Sequence, residues 1–198
     1  MNTQSHAILT FYLLRQILGK RAEQIKHVNP ILFSGAIVPD VAIFVFFAWY
    51  TLFEPTSQRI IWSEIAFSDE WQFVFSLFHS LPLWAFAAVG LLILKKPRAA
   101  LFCLAALVSS IQDIFVHHDD GHAHFFPFSD YRFESPISYW DPAHYGWYVS
   151  VAEVILVLVA SVWSFRRLET NWGKGLLVLS VVSLVATQGF WAVLFTFF

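Results

Sequence analysis

The sequence predicts an all-α fold, a polytopic membrane helix bundle, on three observations. The chain of 198 residues is 58% hydrophobic and only 13% charged, whereas soluble domains run at about 45–50% apolar and about 25% charged. Its mean hydropathy is +0.60, and a domain this small cannot cover so much apolar surface by itself, so lipid must. The apolar residues also fall in runs long enough to cross about 30 Å of hydrocarbon. The net charge of −2 gives no reason to expect nucleic acid as a partner; membrane lipid is the expected surrounding. The one cysteine, Cys103, excludes an intrachain disulfide and a cysteine-based zinc site.

Taken in order, residues 4–18 form a short apolar segment, an interfacial helix or a partial span. No positive residue precedes this segment and no small-residue cleavage site follows it, so insertion without cleavage is expected. Five long spans are predicted, at residues 31–53, 71–94, 99–116, 147–165 and 175–198. A polar, mostly acidic connection joins the first two. A segment rich in histidine, aspartate and aromatics lies between the third and fourth. Residues 1–198 read as a single integral membrane domain.

Charge orients the bundle. Arg15, Lys20, Arg21 and Lys26 precede the first long span, Lys95, Lys96 and Arg98 follow the second, and Arg166, Arg167 and Lys174 follow the fourth. The other side has Arg59 and Arg132. The positive-inside rule then places the basic loops in the cytoplasm, with the 113–146 segment and the C-terminus facing outward. A bacterial cytoplasmic membrane is the expected location.

Five of the eight histidines fall within Asp113–Gly146: His117, His118, His122, His124 and His144. The costlier polar residues lie elsewhere. Asp40 stands inside an apolar span, where insertion costs roughly 2.5–3.5 kcal/mol, and such residues mark function by default. Its alternative role is to cap a helix restarted after Pro39. His79 lies about two turns inside the next span, and Asp113 near the end of the third. If residues 4–18 run inward from the outer leaflet, His6 begins at the same level. His117 follows Asp113 at i+4, on one helical face. Mixed imidazole and carboxylate groups suit zinc first, with manganese or iron as alternatives. The expected ligands are His6, Asp40, His79, Asp113 and His117. Asp119, Asp120 or His122 would act as general base, and Arg132 would hold an anionic substrate group or pair with Asp130. Asp141-Pro142 reads as a helix N-cap followed by Pro at N1, so Asp141 and His144 are assigned structural roles.

NTQSHAIL with His6, GAIVPD with Asp40, FHSLP with His79, and the Asp113 segment leading into FPFS resemble the bacterial inner-membrane metal-dependent hydrolase family related to YdjM. The matching pieces cover roughly the first two thirds of the chain. The resemblance implies a helical membrane fold, His and Asp metal ligands and hydrolytic activity. The family pattern carries a His four residues before the third-span Asp, where this chain has Ser109, and the HHDDGHAH run departs from the glycine-rich version. His117, His118 or His122 would then compensate. The expected function is hydrolysis of an amphiphilic or lipid-linked ester or phosphoester at the outer face. The alternative is a non-catalytic membrane protein held by a structural metal or a buried polar network. The sequence gives no oligomeric state.

Overall fold

A computed structural model describes residues 1–197, with side chains through Gln188. Its α-helices are α1 (Thr3–Leu18), α2 (Val28–Leu52), α3 (Gln58–Ser63), α4 (Asp69–Phe78), α5 (Leu81–Ile93), α6 (Pro97–Ile114), α7 (Gly146–Phe165) and α8 (Asn171–Phe197). Short 3-10 helices fill Gly19–Gln24, Ile65–Phe67 and Pro142–His144, and the described residues contain no strand. Among the described residues, four segments are long and apolar enough to cross a membrane: α2, the α4–α5 pair, α6 and α7. The fifth expected span falls on α8, whose side chains beyond Gln188 lie outside the described residues, as does the C-terminal residue.

The short N-terminal helix is not peripheral. Ser5, His6, Ala7, Ile8, Thr10, Phe11, Leu14 and Arg15 are all buried, and α1 packs against α2, α6, α7 and α8. Its small residues let neighbouring helices approach closely, and Ile8, Phe11 and Leu14 meet Leu32, Leu101, Ala105 and Val157 in the main apolar core. The outward surface carries Val159, Val162, Leu92, Ile93 and Val182, all exposed, as a lipid-facing surface would be.

Helix length divides the bundle into two tiers. At 1.5 Å per residue, α1 is ~24 Å long and Asp40 stands ~18 Å from the start of α2. Thr3, in the first turn of α1, donates to Asp40 Oδ2 at 2.5 Å. The second half of α2 therefore rises past the start of α1, where it meets α3 and α4 around a separate core of Phe46, Ile61, Ala66 and Phe75. The two tiers join at Asp40.

The expected span 71–94 is broken at this seam. α4 ends at Phe78 and α5 begins at Leu81, with His79 and Ser80 between them. Pro82 accounts for the break, since it has no N–H to offer the Phe78 carbonyl and its ring crowds it. Trp84 Nε1 satisfies that carbonyl instead, at 2.7 Å. Ser80 caps α5 by accepting from Leu83 N–H at 3.2 Å, and its own hydroxyl donates to the Phe126 carbonyl. Leu81 N–H donates to the His124 carbonyl at 2.9 Å. The His-rich segment thus supplies acceptors that a continuous helix would have supplied itself. By contrast, α2 runs unbroken through Pro39, so Asp40 does not cap a restarted helix. Close packing supports this stretch. A Cβ on Gly35 would come within 2.4 Å of the Phe102 carbonyl oxygen on α6. Ser109 Oγ donates to the Ala36 carbonyl at 2.7 Å, so Ser109 joins α6 to α2 one turn below Asp113.

Candidate metal centre

His6, Asp40, His79, Asp113 and His117 converge, all of them buried. His6 comes from α1, Asp40 from α2, His79 from the α4–α5 break and Asp113 from α6; His117 lies just past the end of α6. Two overlapping groups could each hold a metal ion: His6, Asp40 and Asp113, and His79, Asp113 and His122. In each group one ligand atom per residue lies within 4.8 Å of the others.

Asp113 is the hub. Its Oδ1 lies 2.9 Å from His6 Nε2 and 3.2 Å from His117 Nε2. The Met1 amino nitrogen stands 2.8 Å from the same oxygen and 3.0 Å from His117 Nε2. Its Oδ2 lies 3.7 Å from His79 Nε2, and Asp40 Oδ1 lies 3.6 Å from that nitrogen.

His79 is the most informative ring. Its Nδ1 is 3.0 Å from the Phe75 carbonyl. A carbonyl only accepts, so Nδ1 holds the proton. In the neutral ring the lone pair is then on Nε2, facing two carboxylates that are also acceptors. Nε2 is fully buried and has no hydrogen-bond partner among the described residues. Three acceptors converging on one space call for a cation. A histidine whose other nitrogen is fixed by a carbonyl is the usual arrangement of a metal ligand.

His117 has a related arrangement, with Nδ1 3.0 Å from Asp120 Oδ1, though outside hydrogen-bonding geometry. Asp120 Oδ2 accepts from Trp140 Nε1 at 2.9 Å. Burial would raise the Asp120 pKa, but His117 and Trp140 more than offset it and hold the carboxyl below its ordinary value. Asp120 therefore stays charged beside His117.

His122 falls in one of the two metal-competent groups. Its ring stacks on His79 with centroids 3.8 Å apart. Burial, then the neighbouring His79, holds His122 well below the ordinary imidazole pKa and His124 at about 4. Both rings are neutral near pH 7, the state that offers a lone pair. Asp119 is exposed and belongs to neither group. Arg132 is engaged elsewhere: its Nη1 donates to Gln72 Oε1 at 2.5 Å and to the Gly121 carbonyl at 3.1 Å. It ties the outer segment to α4. Asp141 accepts from Ala143 N–H at 2.9 Å and caps the 3-10 helix at Pro142–His144, as its sequence position suggests.

Two residues absent from the sequence-based site contribute. Glu153 on α7 is buried, and its carboxylate accepts from Asn2 N–H at 3.0 Å and Asn2 Nδ2 at 3.1 Å. It anchors the start of α1 beside the site. Its signal was available: a lone acid in the apolar run 147–165 is as costly as Asp40. Tyr139 lines the adjoining cleft, which has a volume of about 250 Å³. Burial raises the Tyr139 pKa well above its ordinary value, so the phenol remains a hydrogen-bond donor.

No protein-family model, curated protein or solved structure matches the chain.

Proposed function

We propose that the protein is a membrane-embedded metal-dependent hydrolase acting on an amphiphilic or lipid-linked ester or phosphoester at the outer face of the membrane. The observation that carries this reading is His79: an imidazole whose Nε2 faces Asp40 and Asp113 at 3.6 and 3.7 Å with no hydrogen-bond partner among the described residues. His6, His117 and His122 complete a donor set of neutral nitrogens and carboxylate oxygens suited to zinc, manganese or iron. A bound divalent ion supplies Lewis acidity and lowers the pKa of water. The cleft beside Asp113 gives a substrate headgroup access, and its Ile43 and Phe44 walls suit an apolar tail. Tyr139 donates a hydrogen bond to a substrate oxygen. The basic loops at the opposite end of the bundle support an outward-facing site in a bacterial cytoplasmic membrane. The short His and Asp motifs support kinship with the YdjM-related hydrolases.

A second reading is favoured by the 2.9 and 3.2 Å contacts at Asp113 Oδ1, which are ordinary hydrogen-bond lengths. In that reading the cluster is a polar network, or a structural metal site, joining the two tiers without turnover. Metal analysis of detergent-purified protein, with a screen of phosphoester and carboxylic-ester substrates, separates them. The hydrolase reading expects bound metal and an activity lost together in Asp40→Ala, His79→Ala and Asp113→Ala. Unchanged metal content in all three variants removes the site. Metal without turnover of any substrate favours the second reading.

A further inference from the structure

We infer that the centre takes two divalent cations with Asp113 shared between them, and that the pair selects an anionic phosphate ester over a neutral carboxylic ester. This rests on the metal-dependent reading and specifies its nuclearity and substrate class. The two metal-competent groups have only Asp113 in common. Its two oxygens point in different directions: Oδ1 meets His6 and His117, and Oδ2 faces His79. A carboxylate divided in this way bridges two positions. Each position has its own nitrogen donors, His6 on one side and the stacked pair His79 and His122 on the other. Asp40 adjoins both, belonging to the His6 group while its Oδ1 lies 3.6 Å from His79. The partnerless, fully buried Nε2 of His79 marks the second position independently of the close contacts around Oδ1.

Charge sets the substrate class. The histidines bind as neutral rings. Against the three carboxylates of Asp40, Asp113 and Asp120, one dication leaves the centre net negative and repels an anion, whereas two leave it net positive and attract phosphate. Paired cations also suit in-line displacement at phosphorus, because they stabilise both the attacking and the leaving oxygen.

The test is a manganese(II) titration of the metal-stripped full chain in detergent, read by bound metal and by electron paramagnetic resonance. The expected result is saturation near two ions per chain with an exchange-coupled spectrum. His6→Ala and His122→Ala should each bind near one ion per chain and show an uncoupled six-line spectrum. His118→Ala should leave the wild-type result unchanged. Affinity for inorganic phosphate should rise about tenfold between half and full loading, the size of a modest gain in charge attraction. Saturation at one ion with an uncoupled spectrum overturns the two-cation centre while leaving metal-dependent hydrolysis standing. A wild type that binds no metal overturns both. Loss of the second ion in His118→Ala places that ion at the surface and also overturns the proposal. Equal phosphate affinity at the two loadings overturns the substrate class. The wild-type spectrum is decisive even if a variant fails to fold.

Discussion

Two histidine clusters draw on the same 34-residue stretch that begins at Asp113, one of them together with His6 and His79 from elsewhere in the chain, and they are built in opposite ways. Around Asp113, the His6, His79 and His117 rings turn Nε2 toward carboxylate oxygens. Near the surface, His118 and His144 stack face to face with centroids 3.5 Å apart, and each ring spends Nδ1 on a local partner. His118 Nδ1 donates to the Ser135 carbonyl at 2.7 Å, and His144 Nδ1 lies 2.6 Å from Asp141 Oδ2. Among the described residues neither surface histidine belongs to a convergent ligand group. The difference teaches that histidine density does not locate a metal site. What matters is whether a ring nitrogen faces convergent carboxylate oxygens, as Nε2 of His6, His79 and His117 does.

The contrast can be broken most directly at Asp113. Asp113→Asn keeps the shape and removes the charge shared by three imidazoles. Metal affinity should fall by more than about 100-fold, beyond the ~10–100-fold typical of groups that only orient a ligand. Competition with a chromophoric chelator measures this. A smaller loss would mean that Asp113 is a network residue.

Asp120→Asn tests the next level. Asp120 Oδ1 lies 3.0 Å from His117 Nδ1, so a loss of about 10–100-fold is expected, with hydrolysis restored at high metal. If the affinity does not change, Asp120 does not position the ring.

The surface pair should be nearly silent. His118→Ala and His144→Ala should leave metal affinity within about twofold and cost about 1 kcal/mol of stability, the size of one lost hydrogen bond. Thermal melting and metal titration of the same samples check both halves. A large metal effect would erase the distinction between the clusters.

The smallest effect is expected from Asp141. The His144 hydrogen bond, then the Ala143 N–H, hold its pKa below the ordinary 3.8. A depressed carboxyl stabilises the fold fully above its unfolded pKa, and this contribution disappears as pH falls through the folded value. Wild type should therefore melt slightly above Asp141→Asn at about pH 5, and the curves should converge toward about pH 3. A gap that widens on acidification would reverse the assignment.

The physical cost of polar groups in apolar runs explains what could be read from the sequence. Asp40 and His79 stood out because an apolar helix does not carry such residues without a partner, and they do meet Asp113. The i+4 spacing of Asp113 and His117 also translated directly into a 3.2 Å contact. Other features depended on information that periodicity does not hold. Hydropathy ranks α1 as a marginal span, yet α1 is deeply buried because Ser5, Ala7 and Thr10 are small enough to admit neighbours. The break at His79 was legible in Ser80 and Pro82, but the surrounding run is apolar enough to read as one span. Asp119, Asp120 and His122 lie close together in sequence and separate in space, to the surface, to the side of His117 and to a metal-competent group. Their directions depend on a turn that a linear reading does not resolve. Arg132 looked free for a substrate because Gln72, its partner, is sixty positions away.

The bonds across the broken helix have a consequence for traffic. Leu81 N–H and the Ser80 hydroxyl take their acceptors from His124 and Phe126. Lifting that stretch away would leave both donors unpaired in an apolar layer, at a cost of several kcal/mol. The roof over His79 is therefore fastened to its floor. The cleft between the first turn of α1 and the Ile43–Phe44 face of α2 leaves every one of those bonds intact. On the hydrolase reading, an amphiphile entering by this cleft would move sideways, along the plane of the lipid, through a side door rather than under a lid.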